Sequence, residues 1–276
     1  MPSAPHFSDV TELIARAVLL SEVTATSLRL PPILLVGAPG IGKTYMSKQL
    51  ARALETDIVE IAVNIIDSFR LRGMNSSWKG AKMGRIAAAL LESRTASPII
   101  LLDEFDKPVR INSYENPHDV FHTLLEEENA QSFVDDYLEF PLRAERIIWI
   151  ASANDISDLA PSIVDRFLVL NVPDPSPQDL AAIIDNIYTL ANVRYGNVFE
   201  PELTLDVRAR LTGFNPRRIS RLLDLAFAHA AAEGRRDLVM SDIVRAEEVS
   251  LADLKFHRTI GFIGQQGRER QGCSSR

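Results

Sequence analysis

The chain has 276 residues, of which 46% are hydrophobic and 24% are charged, and its net charge is -7. This composition is that of a globular protein, and the length suits one large domain with a small one. The acidic net charge argues against nonspecific binding to duplex nucleic acid, although it does not exclude a local basic patch. Cys273 is the only cysteine, which excludes an intrachain disulfide and a thiolate metal site. Without a signal peptide or an apolar run of about 20 residues, the sequence predicts a soluble, cytoplasmic protein with no membrane segment.

The predicted elements begin with one or two helices over residues 7–30, which end at two prolines. Beyond them, short apolar runs typical of buried strands alternate with segments at helical spacing. Strands are predicted at residues 33–36, 58–63, 99–102, 147–151 and 167–170. Helices are predicted between them, at residues 43–54, 83–93 and 118–128. Strands that alternate with helices indicate an α/β fold with a five-stranded parallel sheet covered on both faces.

The pattern changes at residues 172–177, where three prolines in six residues indicate a linker. Only helices are predicted beyond it, at residues 178–192, 202–211, 216–233 and 241–255, with Ser241 as the N-cap of the last one. The end of the chain is rich in Gly, Gln, Arg and Ser and is predicted to be disordered. The sequence therefore predicts four parts, a helical lead-in over residues 1–32, an α/β domain over 33–173, a helical domain over 174–258 and a tail over 259–276.

A phosphate-binding loop follows the first predicted strand and precedes a predicted helix. It matches the spacing G-x-x-x-x-G-K-[ST] in full, with Gly37, Ala38, Pro39, Gly40, Ile41, Gly42, Lys43 and Thr44. Glycines let backbone N–H groups turn toward phosphates, Lys43 reaches the β- and γ-phosphates, and the Thr44 hydroxyl ligates Mg²⁺. The positive end of the helix faces the same anion. The motif and its context predict a site for ATP and Mg²⁺.

Two carboxylates, Asp103 and Glu104, end the third predicted strand, at the sheet edge where open α/β folds bind ligands. Asp103 is expected to hold the Mg²⁺, mostly through water, and Glu104 to polarise the attacking water. Helix-capping acids share this pattern, but its combination with the phosphate-binding loop predicts catalysis. Asp106 and Lys107 follow, and two interpretations stay open for them: a solvated charge pair or part of a subunit contact.

Together with the downstream sequence, these motifs resemble the AAA+ superfamily, and residues 37–170 are most similar to the ATPase module of Lon-type proteases. The matching stretches are GAPGIGKT, LRGMNSSWKG, IILLDEFDK, LLEEENAQSFVDDYLEF, ASAND and PSIVDRF. The resemblance implies the P-loop NTPase fold followed by a small all-α lid, Mg²⁺-dependent ATP hydrolysis and a homo-oligomeric ring of six subunits. The Lon-type proteolytic domain has no counterpart in this sequence, so peptide cleavage is not expected of it.

The resemblance assigns roles in hydrolysis to three more residues. Asn154 falls at the sensor-1 position, where an amide orients the attacking water, with a turn-forming asparagine as the alternative. Arg166 falls at the arginine-finger position, which reaches the nucleotide of the neighbouring subunit, with an intrachain ion pair to Asp165 as the alternative. Arg217 falls in the sensor-2 segment as a contact to the γ-phosphate, with Arg218 as the fallback. The alternative there is a solvated helix start.

Trp78, Lys79 and Gly80 fall where Lon-type and related unfoldases carry an aromatic–hydrophobic–glycine pore loop. An aromatic ring on a mobile glycine loop grips any polypeptide by nonspecific packing. The loop departs from the family pattern twice, because Trp78 stands where Tyr or Phe is more usual and Lys79 replaces an apolar residue. A cation at this position could equally contact acidic peptide or nucleic acid. A partly buried tryptophan in a connecting loop is the alternative. His118 and His122, spaced i, i+4, are interpreted as a helix surface because no third metal ligand lies nearby.

Three functions compete. The first is an ATP-driven motor, an unfoldase or chaperone, that threads or remodels protein as a ring and passes it to a separately encoded effector or protease. The second is a nucleic-acid-associated switch or loader, which the acidic charge and the lack of a helix-turn-helix disfavour. The third is a nucleotide-gated scaffold with little or no hydrolysis, which the complete set of catalytic groups disfavours.

Overall fold

The computed structural model describes residues 5–107 and 117–260, the last ten of them by their backbone alone. The chain divides into two compact units, residues 1–180 and 181–276. The first unit is built around a parallel sheet, whereas the elements of the second are helices. Of the tail predicted from residue 259, the first two residues are helical and the rest lies outside the described residues.

The first unit alternates strands and helices. Its strands are β1 (Ile33–Val36), β2 (Ile58–Ala62), β3 (Ile99–Asp103), β4 (Phe133–Val134), β5 (Pro141–Leu142), β6 (Ile148–Ala153) and β7 (Leu168–Asn171). Its helices are α1 (Ser8–Thr24), α2 (Lys43–Ala53), α3 (Ser68–Arg72), α4 (Arg85–Glu92), α5 (Pro117–Leu124), α6 (Glu127–Ala130) and α7 (Pro161–Val164), and a 3-10 turn, Pro5–Phe7, precedes α1. The helix predicted at residues 118–128 is divided into α5 and α6, because Glu126 has an extended backbone with φ -96° and ψ 121°.

Five strands form one parallel sheet in the order β2–β3–β6–β1–β7, and β4 pairs with β5 in a separate antiparallel hairpin. In the sheet, Ile33 lies opposite Ile150 on one side and Leu168 on the other. The predicted α/β class and its five parallel strands are confirmed. Because β3, β6 and β1 are neighbours and run in the same direction, the residues that follow all three strands meet at one edge.

Both faces of the central strands β1, β3 and β6 are buried, and alternate residues of these strands pack toward different cores. One core joins strand residues such as Leu34, Ile100 and Trp149 to side chains of α4, α5 and α7. The other joins Ile33 and Leu101 to side chains of α1 and α2. A strand covered on both sides needs apolar residues at nearly every position, which is why these central strands are nearly continuous apolar runs in the sequence.

The second unit is helical, with α8 (Pro177–Arg194, its first turn still in the first unit), α9 (Leu205–Leu211), α10 (Pro216–Ala232) and α11 (Met240–Ile260). The cap predicted at Ser241 is wrong, because α11 begins one residue earlier and the buried Asp242 carboxylate accepts from the Val239 N–H at 3.0 Å. An acid in the first turn that reaches back to this N–H satisfies an otherwise unpaired donor. Of the described helices, none has the length and apolar character to cross a bilayer.

Candidate active site

The glycine-rich loop between β1 and α2 follows a path that glycine alone allows at three positions. A Cβ on Gly37 would lie 2.5 Å from the carbonyl oxygen of Val172, and Gly40 and Gly42 have φ of 83° and 108°. These are left-handed conformations that side chains disfavour. Of the other loop residues, Ala38 and Pro39 are exposed and Ile41 is buried in the core.

Lys43 is buried, and its ammonium group lies inside this loop. The Nζ donates to the carbonyl oxygens of Gly37 at 2.6 Å and Ala38 at 3.0 Å, and to Asn154 Oδ1 at 3.1 Å. Asn154 directly follows β6, so the sheet order brings Lys43 and the predicted sensor amide together. A cation held at this point faces the place where the loop would receive phosphate oxygens.

Asp103 and Thr44 provide oxygen donors next to the loop. Thr44 Oγ1 donates to Asp103 Oδ2 at 3.2 Å, while the other carboxylate oxygen accepts from the Ser152 hydroxyl and, at 3.1 Å, from the backbone N–H of Glu104. Among the described residues, no group of three His, Cys, Asp or Glu side chains could hold a metal by itself. Mg²⁺ fits this donor set, since it prefers hard oxygens and uses one or two protein ligands with phosphates and water.

Glu104 has a left-handed backbone, with a φ of 54°. One carboxylate oxygen accepts from the Asn64 side-chain amide, and the other lies 3.4 Å from the Lys107 ammonium. The side chain is 41% exposed, so water reaches it. The two predicted acids therefore face different surroundings, Asp103 the hydroxyls of Thr44 and Ser152, and Glu104 an amide, a cation and solvent.

Asp106 fixes the end of β6. Its Oδ2 accepts from the Asn154 backbone N–H at 3.1 Å, and its Oδ1 is buried with no partner among the described residues. The interpretation of Asp106 and Lys107 as a solvated pair is wrong, because Asp106 turns inward to Asn154 while Lys107 pairs with Glu104. Asp106 thereby holds the sensor position in place against the turn that follows β3.

Arg166 is held by three groups of its own chain. Its guanidinium donates to the carbonyl oxygens of His122, at 3.2 Å, and Ser162, and it forms an ion pair of 2.5 Å with Glu126. Its side chain is 26% exposed. The alternative of an ion pair with Asp165 names the wrong partner, because among the described residues the acid that pairs with Arg166 is Glu126.

Arg217 lies in the second unit, in the first turn of α10. The side chain of Asn215 caps this helix by accepting from the Arg218 N–H at 2.9 Å. Arg218 places its guanidinium 4.4 Å from the centre of the Phe214 ring, whereas the Arg217 side chain is exposed and has no partner among the described residues. Arg217 thus has the freer cation of the two, and its role as sensor 2 stays a prediction.

Trp78, Lys79 and Gly80 lie at the exposed tip of the loop between α3 and α4. Trp78 is 53% exposed, and its ring lies 5.9 Å from the ring of Phe69, which is also exposed. Gly80 has a φ of 84° and open space around it. The aromatic side chain therefore lies at the surface of the first unit.

His118 corrects one interpretation of the sequence. It does not lie on the helix surface: its ring is buried, Nε2 lies 2.9 Å from the Phe105 carbonyl oxygen, and burial lowers the pKa of the imidazole. Helical spacing alone could not separate the two faces of α5, because polar residues lie on both.

The N-terminal turn packs against the phosphate-binding loop. His6 Nε2 contacts the Ile41 carbonyl oxygen at 3.0 Å, so this turn supports the loop.

Sequence reasoning missed Asn64 and Ser152, both in contact with the predicted acids. Neither belongs to the quoted motifs at a position with an assigned role, and single Asn or Ser residues after or within a strand carry no signal of their own. Only the sheet order β2–β3–β6, which sets these residues beside Asp103 and Glu104, identifies them.

Replacing Ser152 by alanine is expected to raise the Mg²⁺ concentration needed for nucleotide binding by about tenfold, because groups that orient a metal ligand contribute at this level. Ser152 is buried and donates to the Asp103 oxygen opposite the one that contacts Thr44. The measurement is a Mg²⁺ titration of the binding of a fluorescent ATP analogue. Ser152→Thr keeps the hydroxyl and serves as control, and an unchanged titration for Ser152→Ala contradicts the assignment.

Comparison with known proteins agrees with this geometry. The model of the ATPase family associated with various cellular activities (AAA) matches residues 33–173. The Lon protease of Campylobacter concisus (strain 13826) is 37% identical over 145 residues, which are 52% of this chain and 18% of the relative. The Lon protease of Clostridioides difficile (strain 630) is 35% identical over 149 residues, 54% of this chain and 19% of the relative. The chain thus spans about a fifth of the length of these curated relatives.

Solved structures share the fold. One structure of a point mutant of Thermotoga maritima RuvB has a TM-score of 0.59 and 15% identity, and the match covers 88% of this chain and 69% of that one. The structure described as the Thermotoga maritima RuvB Holliday junction branch migration motor has a TM-score of 0.57 and 14% identity, covering 88% and 68%. At such identity the likeness shows the fold alone. The expected resemblance to AAA+ proteins and to the Lon-type ATPase module is confirmed, and the chain belongs to the AAA family of ATPases associated with various cellular activities.

Proposed function

We propose that the chain binds ATP with Mg²⁺ and hydrolyses it to ADP and phosphate, using the residues gathered at the carboxyl edge of the sheet. The observation that carries the proposal is the direct contact of Thr44 with Asp103 and of Lys43 with Asn154, which joins the ends of β1, β3 and β6 into one site. AAA family membership supports ATPase activity in general.

Each group has a separate task in this proposal. Lys43 and the loop N–H groups bind the β- and γ-phosphates, and Thr44 and Asp103 hold Mg²⁺, which neutralises phosphate charge when it is bound. Glu104 accepts the proton of the attacking water at a lone pair that Asn64 and Lys107 leave free, since a carboxylate offers about four acceptor sites. Asn154 orients the water through its amide. A chemical step of this kind needs positioning and electrostatic stabilisation rather than a covalent intermediate.

Two further cations complete the proposed site. We infer that residues 174–258 serve as a lid and that Arg217, at the start of α10, contacts the γ-phosphate. Arg166 acts on the nucleotide of the neighbouring subunit, so a closed ring of identical contacts is required, and the family resemblance implies six subunits. For Arg166 to reach a neighbour, its ion pair with Glu126 has to open.

The substrate of the proposed motor is a polypeptide, threaded or remodelled by the ring and passed to a separately encoded effector or protease. Two observations support this. The curated relatives are named Lon protease, and Trp78 presents an exposed aromatic ring near Gly80, which has a positive φ and open space around it. Nucleic acid stays an open partner, because Lys79 and Lys82 are exposed on the same loop and form no ion pair among the described residues.

Trp78→Ala is expected to reduce the stimulation of ATP turnover by a denatured, fluorescently labelled polypeptide to the unstimulated level, because the loop loses its gripping ring. Turnover with and without the polypeptide is the measurement, and Trp78→Phe, which keeps a ring, is the matched control. Full stimulation of the alanine variant contradicts threading by this loop. Stimulation by DNA that falls steeply with salt would instead favour the nucleic-acid alternative.

A further inference from the structure

The Trp78 loop, residues 74–83, is attached at both ends to the turn between β4 and β5. At the end of the loop, the backbone N–H of Gly84 donates to Asp135 Oδ2 at 2.8 Å. Before its start, the carbonyl oxygen of Arg72 accepts from the Asp136 N–H at 2.8 Å. The loop leaves and rejoins the body of the subunit within one small region, and residues of the hairpin turn occupy that region.

Asp135 is the centre of this attachment. Its side chain is fully buried, and while one carboxylate oxygen binds Gly84, the other accepts from the N–H groups of Tyr137 at 3.0 Å and Leu138 at 3.2 Å. Gly73 has a φ of 92°, and a Cβ on it would lie 2.5 Å from Asp135 Oδ1. The backbone at both ends of the loop therefore packs closely around a single carboxylate.

Contacts farther along the loop agree with this arrangement. The Ser76 hydroxyl donates to Glu139 Oε1 at 3.2 Å, two residues from Trp78. Within the loop, the Met74 N–H donates to the Lys82 carbonyl oxygen at 3.1 Å, which closes the base below the exposed tip. The loop thus has an ordered base joined to the hairpin and an exposed tip that carries the aromatic ring.

We propose that Asp135 is a positioning residue for the Trp78 loop. Its carboxylate joins this loop and the β4–β5 turn into one rigid body, which moves as a unit against the polypeptide. The proposal rests on the threading function proposed above for Trp78. Motion of the subunits during ATP turnover is then transmitted through the hairpin to the tip of the loop. Trp78 moves with the hairpin and not independently of it.

The first test is hydrogen exchange of the Asp135→Asn variant. The amide has the size of the carboxylate but offers one acceptor oxygen, whereas the N–H groups of Gly84, Tyr137 and Leu138 use both carboxylate oxygens. Exchange of amides in residues 74–83 is expected to accelerate on the order of tenfold, while β1 and β3 stay protected. Asp136→Ala, which removes only the half-exposed ion pair with Arg72, is the control and leaves the loop protected. Unchanged loop exchange in Asp135→Asn overturns the proposal.

A second test does not depend on the stability of that variant. Cysteines at Ser76 and Glu139, in a Cys273→Ser background, are joined by a short bismaleimide. A loop and turn that move as one body keep polypeptide-stimulated ATP turnover when joined, and loss of stimulation on joining overturns the proposal. Failure of threading itself is distinguishable, since Trp78→Ala would then keep its stimulation while hydrogen exchange still reports on the attachment at Asp135.

Discussion

Glu104→Gln is expected to bind ATP and to hydrolyse it about 10²–10⁴-fold more slowly than the wild type, the range that a general base contributes. The amide keeps the size of the side chain and a partner for Lys107, but it cannot accept a proton from water. Binding is not expected to depend on this carboxylate, because the proposed site places the phosphates against the Gly37–Thr44 loop and Lys43.

Single-turnover hydrolysis and equilibrium binding of a fluorescent ATP analogue measure the two effects separately. Lys43→Ala is the matched comparison: it removes the cation inside the loop and is expected to abolish binding, so that hydrolysis is lost for a different reason. Turnover of Glu104→Gln near the wild-type rate, with binding intact, would remove Glu104 from the mechanism.

Subunits carrying Arg166→Ala and subunits carrying Glu104→Gln are each expected to be inactive alone and to regain turnover when mixed. Loss of a trans-acting arginine costs roughly 10³–10⁵ in rate. In a mixed ring, an Arg166→Ala subunit supplies an intact Glu104, and its Glu104→Gln neighbour supplies an intact Arg166. With random mixing at equal amounts, about a quarter of the contacts are complete, which sets the expected recovery.

ATP turnover across mixing ratios is the measurement, and a mixture of Lys43→Ala with Glu104→Gln subunits is the control. Every subunit in that control has Arg166 but none has a complete set of its own groups, so it stays inactive. If the first mixture is equally inactive while rings still form, Arg166 does not act across the contact, and its three intrachain bonds are its whole role.

The strands and the phosphate-binding loop were predictable because their residue types directly indicate local burial and backbone conformation. A strand buried on both faces needs consecutive apolar residues, so residues 33–36 and 99–102 identify strands without knowledge of their neighbours. Gly37, Gly40 and Gly42 identify a path that other residues would not follow. With β1 and β3 known, the neighbourhood of Lys43 and Asp103 follows from parallel strands that end at the same edge.

The hydrogen-bond and ion-pair partners of the site residues were not predictable, because they lie far apart in sequence and meet only in the folded structure. Glu126 binds Arg166 across 40 positions of sequence, and Glu126 is also the extended residue that interrupts the helix predicted there. Asn64 and Asp135 carry no local pattern that separates a structural polar residue from one that holds a catalytic or substrate-binding group. Their roles become visible only when the order of the strands and the close approach at Gly84 are known.

The left-handed backbone of Glu104 has a thermodynamic consequence for the whole subunit. A residue with a Cβ held at a φ of 54° costs about 1–2 kcal/mol relative to the right-handed region, and glycine would remove most of that cost. The fold is thus less stable with Glu104, the acid that we propose accepts the proton of water, than it could be with glycine at this position. Under this proposal, a substitution of Glu104 that raises the melting temperature would slow hydrolysis, so selection for stability would oppose selection for ATP turnover.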